Sequence, residues 1–531
     1  NGEFVFDDRN LPMFLRKAAT LPLRKWINVR PLLMSTYYFN FHSAGLDTFG
    51  YHAVNVIMHA ANAVLLFFAV KRILEWASIE KARAMPVAIF SAAVFLLHPV
   101  QTEAVSYIAS RSETLSILFF LAAFNVFLYR SRVSITFRTS LGVLLLYGCA
   151  MTSKEHTAML PAVLLLTDYY FNPPFSLSGI RRNWRLYIPI AAAGVAGLFF
   201  FRSYINSGSN LGFGMKDLSW SQYLFTEFRA FFVYMRLLVL PYGQTVDYNF
   251  PVSHNLLERG AVFYGIALLG LIAAAFYFRK RYPIASFGFF VTLVLFAPTS
   301  SFVPIRDPLA ERRLYLPFIG IALMVAEVAV RVSWRNRQAV YAALAAVCLI
   351  FAVLTFQRNQ VWVGMESLWR DAVSKNPENA RALMGLGDAY SLRGDCVDAI
   401  PYFERAIKIE AADYRQTANL ASAYDCANQL PAALETYRKA IALRPTADAW
   451  TRIGLIQMKT NQYDQAIQSL DTASRIDSTY LPPFNYRGIL YLHLQRFDAA
   501  ASQFQQVLAV DPVNELALRG IDRARKHNPQ F

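Results

Sequence analysis

Ten long apolar segments recur between residues 52 and 356 and are separated by short polar connections. Several are short for a perpendicular crossing, but all approach the length at which an α-helix spans a bilayer. With 55% hydrophobic and 15% aromatic residues, the chain is too apolar for an ordinary soluble protein. The pattern predicts an all-α, polytopic membrane domain over residues 52–356. The segments lie near 52–73, 85–98, 112–129, 137–152, 157–170, 186–202, 261–278, 283–298, 314–331 and 338–356.

Much of the formal net charge of +16 sits in basic clusters between the apolar segments. Such clusters are typical of the cytoplasmic side of a membrane protein. Their placement argues against a nucleic-acid partner, which would need a basic surface on a folded domain. The clusters are Lys71–Arg72, Arg130 with Arg132, Arg181–Arg182, Arg279–Lys280–Arg281, and Arg331 with Arg335 and Arg337.

Placing these clusters in the cytoplasm fixes the sidedness of the other connections. Residues 1–51 become the first exoplasmic loop, and the connections near 98–111, 152–157, 203–260 and 298–313 lie on the same side. The segment 220–240 is apolar but carries three charged residues, so we expect an interfacial or re-entrant helix there. With this sidedness the chain starts outside the cytoplasm. The alternation of the connections between the two sides of the membrane therefore also predicts a helix before Asn1.

After Gln357 the sequence repeats every 33–34 residues, with small residues at positions eight and twenty and large residues at position twenty-four. This is the tetratricopeptide pattern. It predicts a solenoid of four repeats over 380–513, preceded by a junction and partial repeat at 357–379 and followed by a capping helix at 514–531. The repeats start at Ala380, Tyr414, Ala447 and Leu481; position eight is Gly387, Ala421, Gly454 and Gly488; position twenty is Ala399, Ala433, Ala466 and Ala500; position twenty-four is Phe403, Tyr437, Leu470 and Phe504.

The same alternation of sides, counted from the basic clusters, predicts that the repeats lie on the exoplasmic side. Such arrays bind extended peptides or partner proteins, but a spacer or a dimerisation platform is the alternative. Cys396 starts the second helix of repeat one and Cys426 ends the first helix of repeat two, so the two helix ends meet. In an oxidising compartment they form either a disulfide or two buried free thiols.

Charged and polar residues collect in the predicted exoplasmic loops. Carboxylates mixed with arginine, lysine and histidine suit a phosphate leaving group beside a proton acceptor. The loops could bring them together at one membrane face. They are Asp7, Asp8, His98, Glu103, Arg111, Glu113, Lys154, Glu155, His156, Asp247, Asp307, Glu311, Arg312 and Arg313.

Each of these groups also has a structural interpretation. A paired aspartate in a loop is often solvated or caps a helix, Lys154–Glu155 could be a simple ion pair, and Glu311–Arg313 could anchor a helix at the interface. One face of the first apolar segment carries His52, Asn55, His59 and Asn62. We interpret this stripe as interhelical hydrogen bonding rather than as a metal site.

Taken in order, several strings resemble the transmembrane-and-tetratricopeptide O-mannosyltransferase family, and bacterial proteins of the same layout are similar to it. The strings precede tetratricopeptide repeats and cover nearly the whole chain. They are FVFDDRN, NVRPL, GLDTFGYHAVNVIMHAANA, LLHPVQTEAVSYIASRSE, MTSKEHTAMLPAVLLL, VDYNF and LAERRLYLP.

The resemblance implies a glycosyltransferase of the GT-C type, which takes a sugar from a polyprenyl-phosphate carrier. It implies that an aspartate of the first loop deprotonates the acceptor hydroxyl, with Asp8 as the first candidate and Asp7 as the second. Cations would stabilise the departing phosphate. It requires no metal but leaves room for a divalent cation. Arg313 departs from the aromatic or aliphatic residue common in the family. The residues implied to line the site are His98, Glu103, Arg111, Glu113, Lys154, Glu155, Glu311 and Arg312.

The predicted function is transfer of a sugar from a polyprenyl-phosphate donor to hydroxyls of exoplasmic proteins, with the repeats recruiting the acceptor. The predicted location is a bacterial inner membrane with periplasmic repeats. Two alternatives remain. One is transfer to a lipid-linked or envelope glycan, and the other is a non-enzymatic membrane-anchored scaffold for an envelope or pilus assembly.

Overall fold

The computed structural model describes residues 2–5, 8, 11–14, 18–27, 30–130, 134–205, 215, 218–411 and 413–529. Every regular element in these ranges is a helix, which confirms the all-α class. The chain forms two compact units, Asn1–Asp371 and Ala372–Phe531. Asp7 lies outside the described residues.

The N-terminal unit contains the apolar helices, and each of the ten predicted membrane segments falls on one of them. Short 3₁₀ turns connect several of these helices. The helices are α1 (Leu23–Trp26), α2 (Pro31–Ala44), α3 (Thr48–Trp76), α4 (Lys81–Leu97), α5 (Thr102–Ser106), α6 (Arg111–Leu128), α7 (Phe137–Ser153), α8 (Leu160–Phe171), α9 (Ser178–Arg182), α10 (Trp184–Ile205), α11 (Trp220–Val239), α12 (Ala261–Tyr277), α13 (Pro283–Phe296), α14 (Phe318–Arg331) and α15 (Arg337–Val361).

Four helices in the described ranges are long and apolar enough to cross a membrane. They are Thr48–Trp76, Ile108–Leu128, Glu258–Lys280 and Arg337–Val361. A fifth is added if Lys81–Leu97 and Pro99–Ser106, which meet at an angle of 49°, form one broken span. These helices confirm a membrane protein. The count of ten crossings and the interfacial position of α11 stay predictions.

The polar stripe on α3 hydrogen-bonds to neighbouring segments, as predicted. Asn62 donates from Nδ2 to the carbonyl oxygen of Thr114 at 2.9 Å, and His59 Nδ1 lies 2.7 Å from the hydroxyl of Tyr315. Asn55 donates to the carbonyl oxygen of Val105 at 3.1 Å. These side chains fix α3 against the parts of the chain that carry the candidate site.

Two glycines allow α13 and α14 to pack with their backbones in contact. A Cβ atom placed on Gly288 would lie 2.5 Å from the carbonyl oxygen of Gly320. Small residues at a crossing point are a common means of close helix packing in membranes. The 3₁₀ turn Glu311–Leu314 precedes α14.

The C-terminal unit consists of antiparallel helix pairs, and α16 (Met365–Lys375) crosses the boundary between the two units. The first helices of the four repeats begin at Ala380, Tyr414, Ala447 and Pro482. The helices are α16 (Met365–Lys375), α17 (Ala380–Arg393), α18 (Cys396–Ile409), α19 (Tyr414–Cys426), α20 (Leu430–Leu443), α21 (Ala447–Lys459), α22 (Tyr463–Ile476), α23 (Pro482–His493), α24 (Phe497–Val510) and α25 (Glu515–Arg525).

The small and large repeat positions meet inside each helix pair. A Cβ atom on Gly387 would lie 2.6 Å from the ring of Phe403, and one on Gly454 would lie 2.8 Å from Leu470. The side chain at position twenty-four therefore fills the space that the absent side chain at position eight leaves. This contact explains why the repeat pattern alternates small and large residues.

Cys396 and Cys426 are joined by a disulfide, with their Cα atoms 5.8 Å apart. The bond links the start of α18 to the end of α19. Of the two predicted alternatives, the disulfide is the one that the structure contains.

Candidate functional site

The candidate site is built around a sharp elbow between α4 and α5. α4 ends at Leu97 because the residue before a proline is disfavoured in a helix, and His98 is accordingly extended, with ψ of 127°. The backbone N–H of Val100 donates to His98 Nδ1 at 3.2 Å, and His98 Nε2 contacts the carbonyl oxygen of Leu238 at 3.0 Å. His98 therefore fixes the elbow against the end of α11.

Glu103, on α5, binds Arg312 through both carboxylate oxygens. The backbone N–H of Arg312 donates to Oε2 at 2.9 Å, and the guanidinium donates to Oε1 at 2.5 Å. The side chain of Glu103 is buried, whereas that of Arg312 is 26% exposed. The pair joins the elbow to the 3₁₀ turn before α14 and leaves part of a cation accessible.

Glu311, the residue before Arg312, is enclosed by hydrogen-bond donors. Gln244 Nε2, the backbone N–H of Thr245 and the hydroxyl of Tyr248 donate at 2.6, 2.9 and 2.7 Å. Arg358 Nη2 lies 3.8 Å from Glu311 Oε1. Burial raises the pKa of Glu311, although Arg358 and the hydrogen bonds act in the opposite direction.

Glu113, near the start of α6, forms an ion pair with Lys154, and His156 Nε2 lies 3.2 Å from the second oxygen. Burial lowers the pKa of His156 to about 4, although Glu113 acts in the opposite direction. His156 is therefore neutral at pH 7. Its two ring nitrogens make no hydrogen bond within the described part of the chain, because the contact with Glu113 does not have hydrogen-bond geometry.

Glu155 forms a bidentate pair with Arg30, at 3.1 and 2.8 Å. Burial alone would raise the pKa of Glu155, but the hydrogen bonds and charge of Arg30 outweigh it and hold the pKa below its ordinary value. The pair connects the 152–157 loop to the residues that precede α2.

The ion pairs lie close enough to interact with one another. Arg312 acts electrostatically on Glu113, and Glu103 acts on Glu311. The structure thus brings together residues from α5, the start of α6, the 152–157 loop and the turn before α14. The result is a cluster of carboxylates and cations together with the neutral His156, which we call the charged cluster: Glu103, Glu113, Lys154, His156, Glu311 and Arg312.

Arg111 lies two residues before Glu113 on α6 but is fully buried. Its guanidinium donates to Asn55 Oδ1 at 2.9 Å, to Asn40 Oδ1 at 2.8 Å and to the carbonyl oxygen of Tyr51 at 3.0 Å. These bonds direct the guanidinium towards α2 and α3. Arg111 therefore holds α2, α3 and α6 together in this structure.

Asp8 is also buried, and backbone groups bind both of its carboxylate oxygens. The N–H of Val5 donates to Oδ2 at 3.0 Å, and the N–H of Ala109 donates to Oδ1 at 2.6 Å. Asp8 thus attaches the first loop to the turn that precedes α6. Its role as the base stays a prediction.

Arg313 and Asp247 contact the chain around them. Arg313 donates to the carbonyl oxygens of Pro308, at 3.0 Å, and Thr299, at 3.2 Å, and also to that of Asp307. Asp247 Oδ1 accepts from the backbone N–H of Asn249 at 3.1 Å. Arg313 therefore anchors the connection between α13 and α14.

Sequence reasoning missed several partners of the predicted residues. Gln244, Tyr248 and Arg358 surround Glu311, and Arg30 binds Glu155. Arg30 lies within the string NVRPL and Tyr248 within VDYNF, both of which carry the family resemblance. The strings alone do not indicate which residues Arg30 and Tyr248 contact. Within the described residues, no group of three histidine, cysteine, aspartate or glutamate side chains is arranged to hold a metal.

Curated proteins similar to this chain share one description. Protein O-mannosyl-transferase F38B6.6 of Caenorhabditis elegans is 24% identical over 77% of this chain and 60% of its own length. Protein O-mannosyl-transferase Tmtc3 of Drosophila melanogaster is 25% identical over 82% of this chain and 54% of its own. Protein O-mannosyl-transferase TMTC3 of Homo sapiens is 23% identical over 91% of this chain and 54% of its own.

These proteins are homologues of the chain. The similarity extends over most of the sequence, and it confirms the predicted resemblance to the O-mannosyltransferases. The chain spans little more than half the length of these relatives.

A family model described as tetratricopeptide repeat matches residues 366–414 and 419–480, which confirms tetratricopeptide repeats in this part of the chain. Among solved structures, the tetratricopeptide-repeat protein YrrB aligns with 33% of this chain and 89% of its own length, at 19% identity and a TM-score of 0.28.

Proposed function

We propose that the protein is an integral-membrane glycosyltransferase of the GT-C type. It transfers a sugar from a polyprenyl-phosphate donor to hydroxyls of exoplasmic proteins. The observation that carries the proposal is the charged cluster, in which Arg312 and Lys154 alternate with Glu103, Glu113 and Glu311. Its support is the homology to proteins named O-mannosyl-transferases.

The proposed reaction inverts the anomeric carbon. The acceptor oxygen forms a bond to that carbon while the bond from the carbon to the phosphate oxygen breaks, so the lipid phosphate departs with the electron pair. The acceptor proton passes to a carboxylate of the Asp7–Asp8 pair, for which Asp8 is the first candidate. Arg312, which is part-exposed, and Lys154 stabilise the charge on the departing phosphate.

We further propose that the repeats lie on the exoplasmic side and recruit the protein acceptor. The placement of basic clusters between the apolar segments supports this orientation. The disulfide between Cys396 and Cys426 adds independent support, because such bonds persist in oxidising compartments.

A deletion strain of the source organism tests the proposal. We expect glycoproteomics to show loss of O-linked sugars from exoplasmic proteins, with full restoration by the wild-type chain and weaker restoration by Glu103→Gln. Loss of an envelope polysaccharide with intact glycoproteins would instead indicate a glycan acceptor. Full complementation by an Asp7→Asn/Asp8→Asn variant would indicate a scaffold.

A further inference from the structure

A groove of about 360 Å³ lies between α4 and α15, and we call it the α4–α15 groove. Met85 and Ile89 line it on the α4 side, and Leu344 lines it on the α15 side. The lining within the described residues is apolar apart from the hydroxyl of Tyr341 and the thiol of Cys348. Because α15 is long and apolar enough to cross a membrane, and Met85, Ile89 and Tyr341 are exposed, the groove is open to lipid acyl chains.

α4 and α15 run side by side in the same direction. The hydroxyl of Thr355 donates to the carbonyl oxygen of Leu97 at 2.6 Å, and both helices line the groove on the N-terminal side of this contact. Lys81 lies sixteen residues before Leu97, and Arg337 lies eighteen before Thr355. These spacings correspond to about 24 Å and about 27 Å of helix. The two cations are therefore level with each other to within about one helical turn, at the end of α4 opposite the elbow.

Lys81 and Arg337 lie just beyond the N-terminal end of the α4–α15 groove. Lys81 precedes Met85 by four residues, and Arg337 precedes Tyr341 by four, so each cation shares a helix face with a residue of the groove. Side chains leave a helix tilted towards its N-terminus, which carries both charges away from the apolar lining. Long basic side chains at the ends of membrane helices reach the headgroup level in this way.

The protein does not neutralise the charge at this end of the groove. Lys81 and Arg337 are exposed, and neither forms an ion pair within the described part of the chain. Arg83 and Arg335, close to them in sequence, are also exposed and without an ion pair there. These two helix starts hold four cations and one carboxylate, Glu80, which leaves a net formal charge of +3.

An anionic lipid matches both parts of this arrangement. A free phosphate ion would pair with the cations but leave the apolar groove unfilled. A zwitterionic lipid would fill the groove but leave the excess of positive charge unmatched. The preference of cytoplasmic connections for basic residues accounts for the cations, but it does not account for their register with an apolar groove.

We propose that the α4–α15 groove binds one anionic glycerophospholipid. The phosphate lies between Lys81 and Arg337, and one acyl chain lies in the groove along Met85 and Ile89. By the predicted sidedness this end of both helices is cytoplasmic, which is the leaflet where anionic lipids attract basic segments. The site lies at the other end of α4 from the elbow, so it does not depend on the proposed sugar transfer.

Native mass spectrometry of the purified, delipidated full chain tests the site. The probe is dioleoyl phosphatidylglycerol, and phosphatidylcholine with the same acyl chains is the matched zwitterionic lipid. We expect saturable binding of one phosphatidylglycerol, at least about tenfold tighter than phosphatidylcholine. Equal binding of the two lipids would overturn the proposal. Displacement of phosphatidylglycerol by an equal concentration of inorganic phosphate would show a site for the free ion and would also overturn it.

A double variant tests the two cations. Lys81→Gln/Arg337→Gln should weaken the binding of phosphatidylglycerol about tenfold. Lys280→Gln/Arg281→Gln removes one lysine and one arginine from another exposed basic cluster, so it is the matched control and should leave this binding unchanged. Equal losses in the two double variants would show general attraction to basic surfaces and would contradict the site.

A second pair of variants tests the groove. Ala345 is exposed and lines the groove, so Ala345→Trp fills the space and should weaken the binding of phosphatidylglycerol about tenfold. Ala346→Trp adds the same ring at the next residue, which is exposed and outside the lining, and should not change binding. Equal affinities in these two variants would contradict the predicted path of the acyl chain.

Cys348 gives an independent measurement because it is a free thiol in the lining of the groove. Phosphatidylglycerol should slow the alkylation of Cys348 by N-ethylmaleimide, and phosphatidylcholine should not. Cys149, a free thiol on α7 outside the lining, is the internal control and should react at the same rate throughout. Alkylation of Cys348 at an unchanged rate in saturating phosphatidylglycerol would overturn the proposal, even if sugar transfer were demonstrated.

Discussion

Glu103 and Arg312 are 209 residues apart in sequence, yet Glu103 accepts from both the backbone N–H and the guanidinium of Arg312. The double contact fixes the turn before α14 against the elbow after α4. Because one carboxylate fixes both the backbone and the side chain, the orientation of the cation depends on Glu103.

Glu103→Gln should therefore reduce sugar transfer more than it reduces folding. The amide cannot match the charge of Arg312, and loss of a charge-assisted hydrogen bond costs about 2 kcal/mol. We expect kcat/KM to fall at least about tenfold. Glu75→Gln, which removes the partly exposed pair with Arg72, is the matched control and should retain activity. Comparable loss in both variants would show that the position of Arg312 is not decisive.

The contact between Gly288 and Gly320 should tolerate no side chain. Gly288→Val places methyl groups against the backbone of α14, which would force α13 and α14 apart. We expect lower yield and a lower melting temperature in detergent. Gly270→Val, on α12, is the control because a Cβ atom there would meet nothing within 4 Å. Equal melting temperatures for the two variants would contradict close packing of α13 and α14.

Asp388, on α17, should make the stability of the repeats depend on pH. Burial raises its pKa to about 6, and Asn419 donates to it at 2.9 Å. An unfolded aspartate has a pKa of about 3.9, so the folded form binds the proton more tightly. The stability that Asp388 contributes is therefore fully present below about pH 4, falls as pH rises from about 4 to about 6, and is lost above that.

Hydrogen exchange of α17 and α19 amides in the full chain measures this effect. Protection should fall between pH 4 and pH 6 after correction for the intrinsic exchange rate. Asp388→Asn does not titrate and should remove this component of the pH dependence. Asp464→Asn, at an exposed position of α22, should leave the component in place. Protection that rises over this range, or an Asp388→Asn profile identical to wild type, would contradict the assignment.

The disulfide should stabilise the first two repeats. Cys396 and Cys426 are separated by 30 residues, and closing a loop of that length in the unfolded chain contributes about 3.6 kcal/mol. Cys396→Ser/Cys426→Ser should lower the unfolding temperature of the repeats, whereas Cys149→Ser/Cys348→Ser should not affect it. Mass spectrometry without reductant should show two alkylatable thiols in wild type. Four alkylatable thiols would show that the bond does not form.

The repeats and the helical class were predictable because their signals are local. Gly387 and Phe403 lie within one repeat, and the same spacing recurs down the chain. The sidedness argument also placed Glu103, Lys154 and Arg312 in loops predicted to share a face, and the structure brings these residues into one cluster.

Side-chain partners were not predictable, because each depends on tertiary contacts. Arg111 looked like a cation of the site, but its direction is set by Asn40 and Asn55 on other helices. Arg358 lies in the predicted junction, where no sequence pattern indicates a site, although its side chain approaches Glu311.

The central claim is sugar transfer from a lipid phosphate to protein. Its most direct test uses purified full-length chain, polyprenyl-phosphate mannose carrying a tritiated sugar, and an exoplasmic protein extract from the deletion strain. We predict O-linked label on protein with the wild-type chain and none with the Asp7→Asn/Asp8→Asn variant. Absence of protein label with a folded wild-type chain, or equal label with the double variant, would contradict the account.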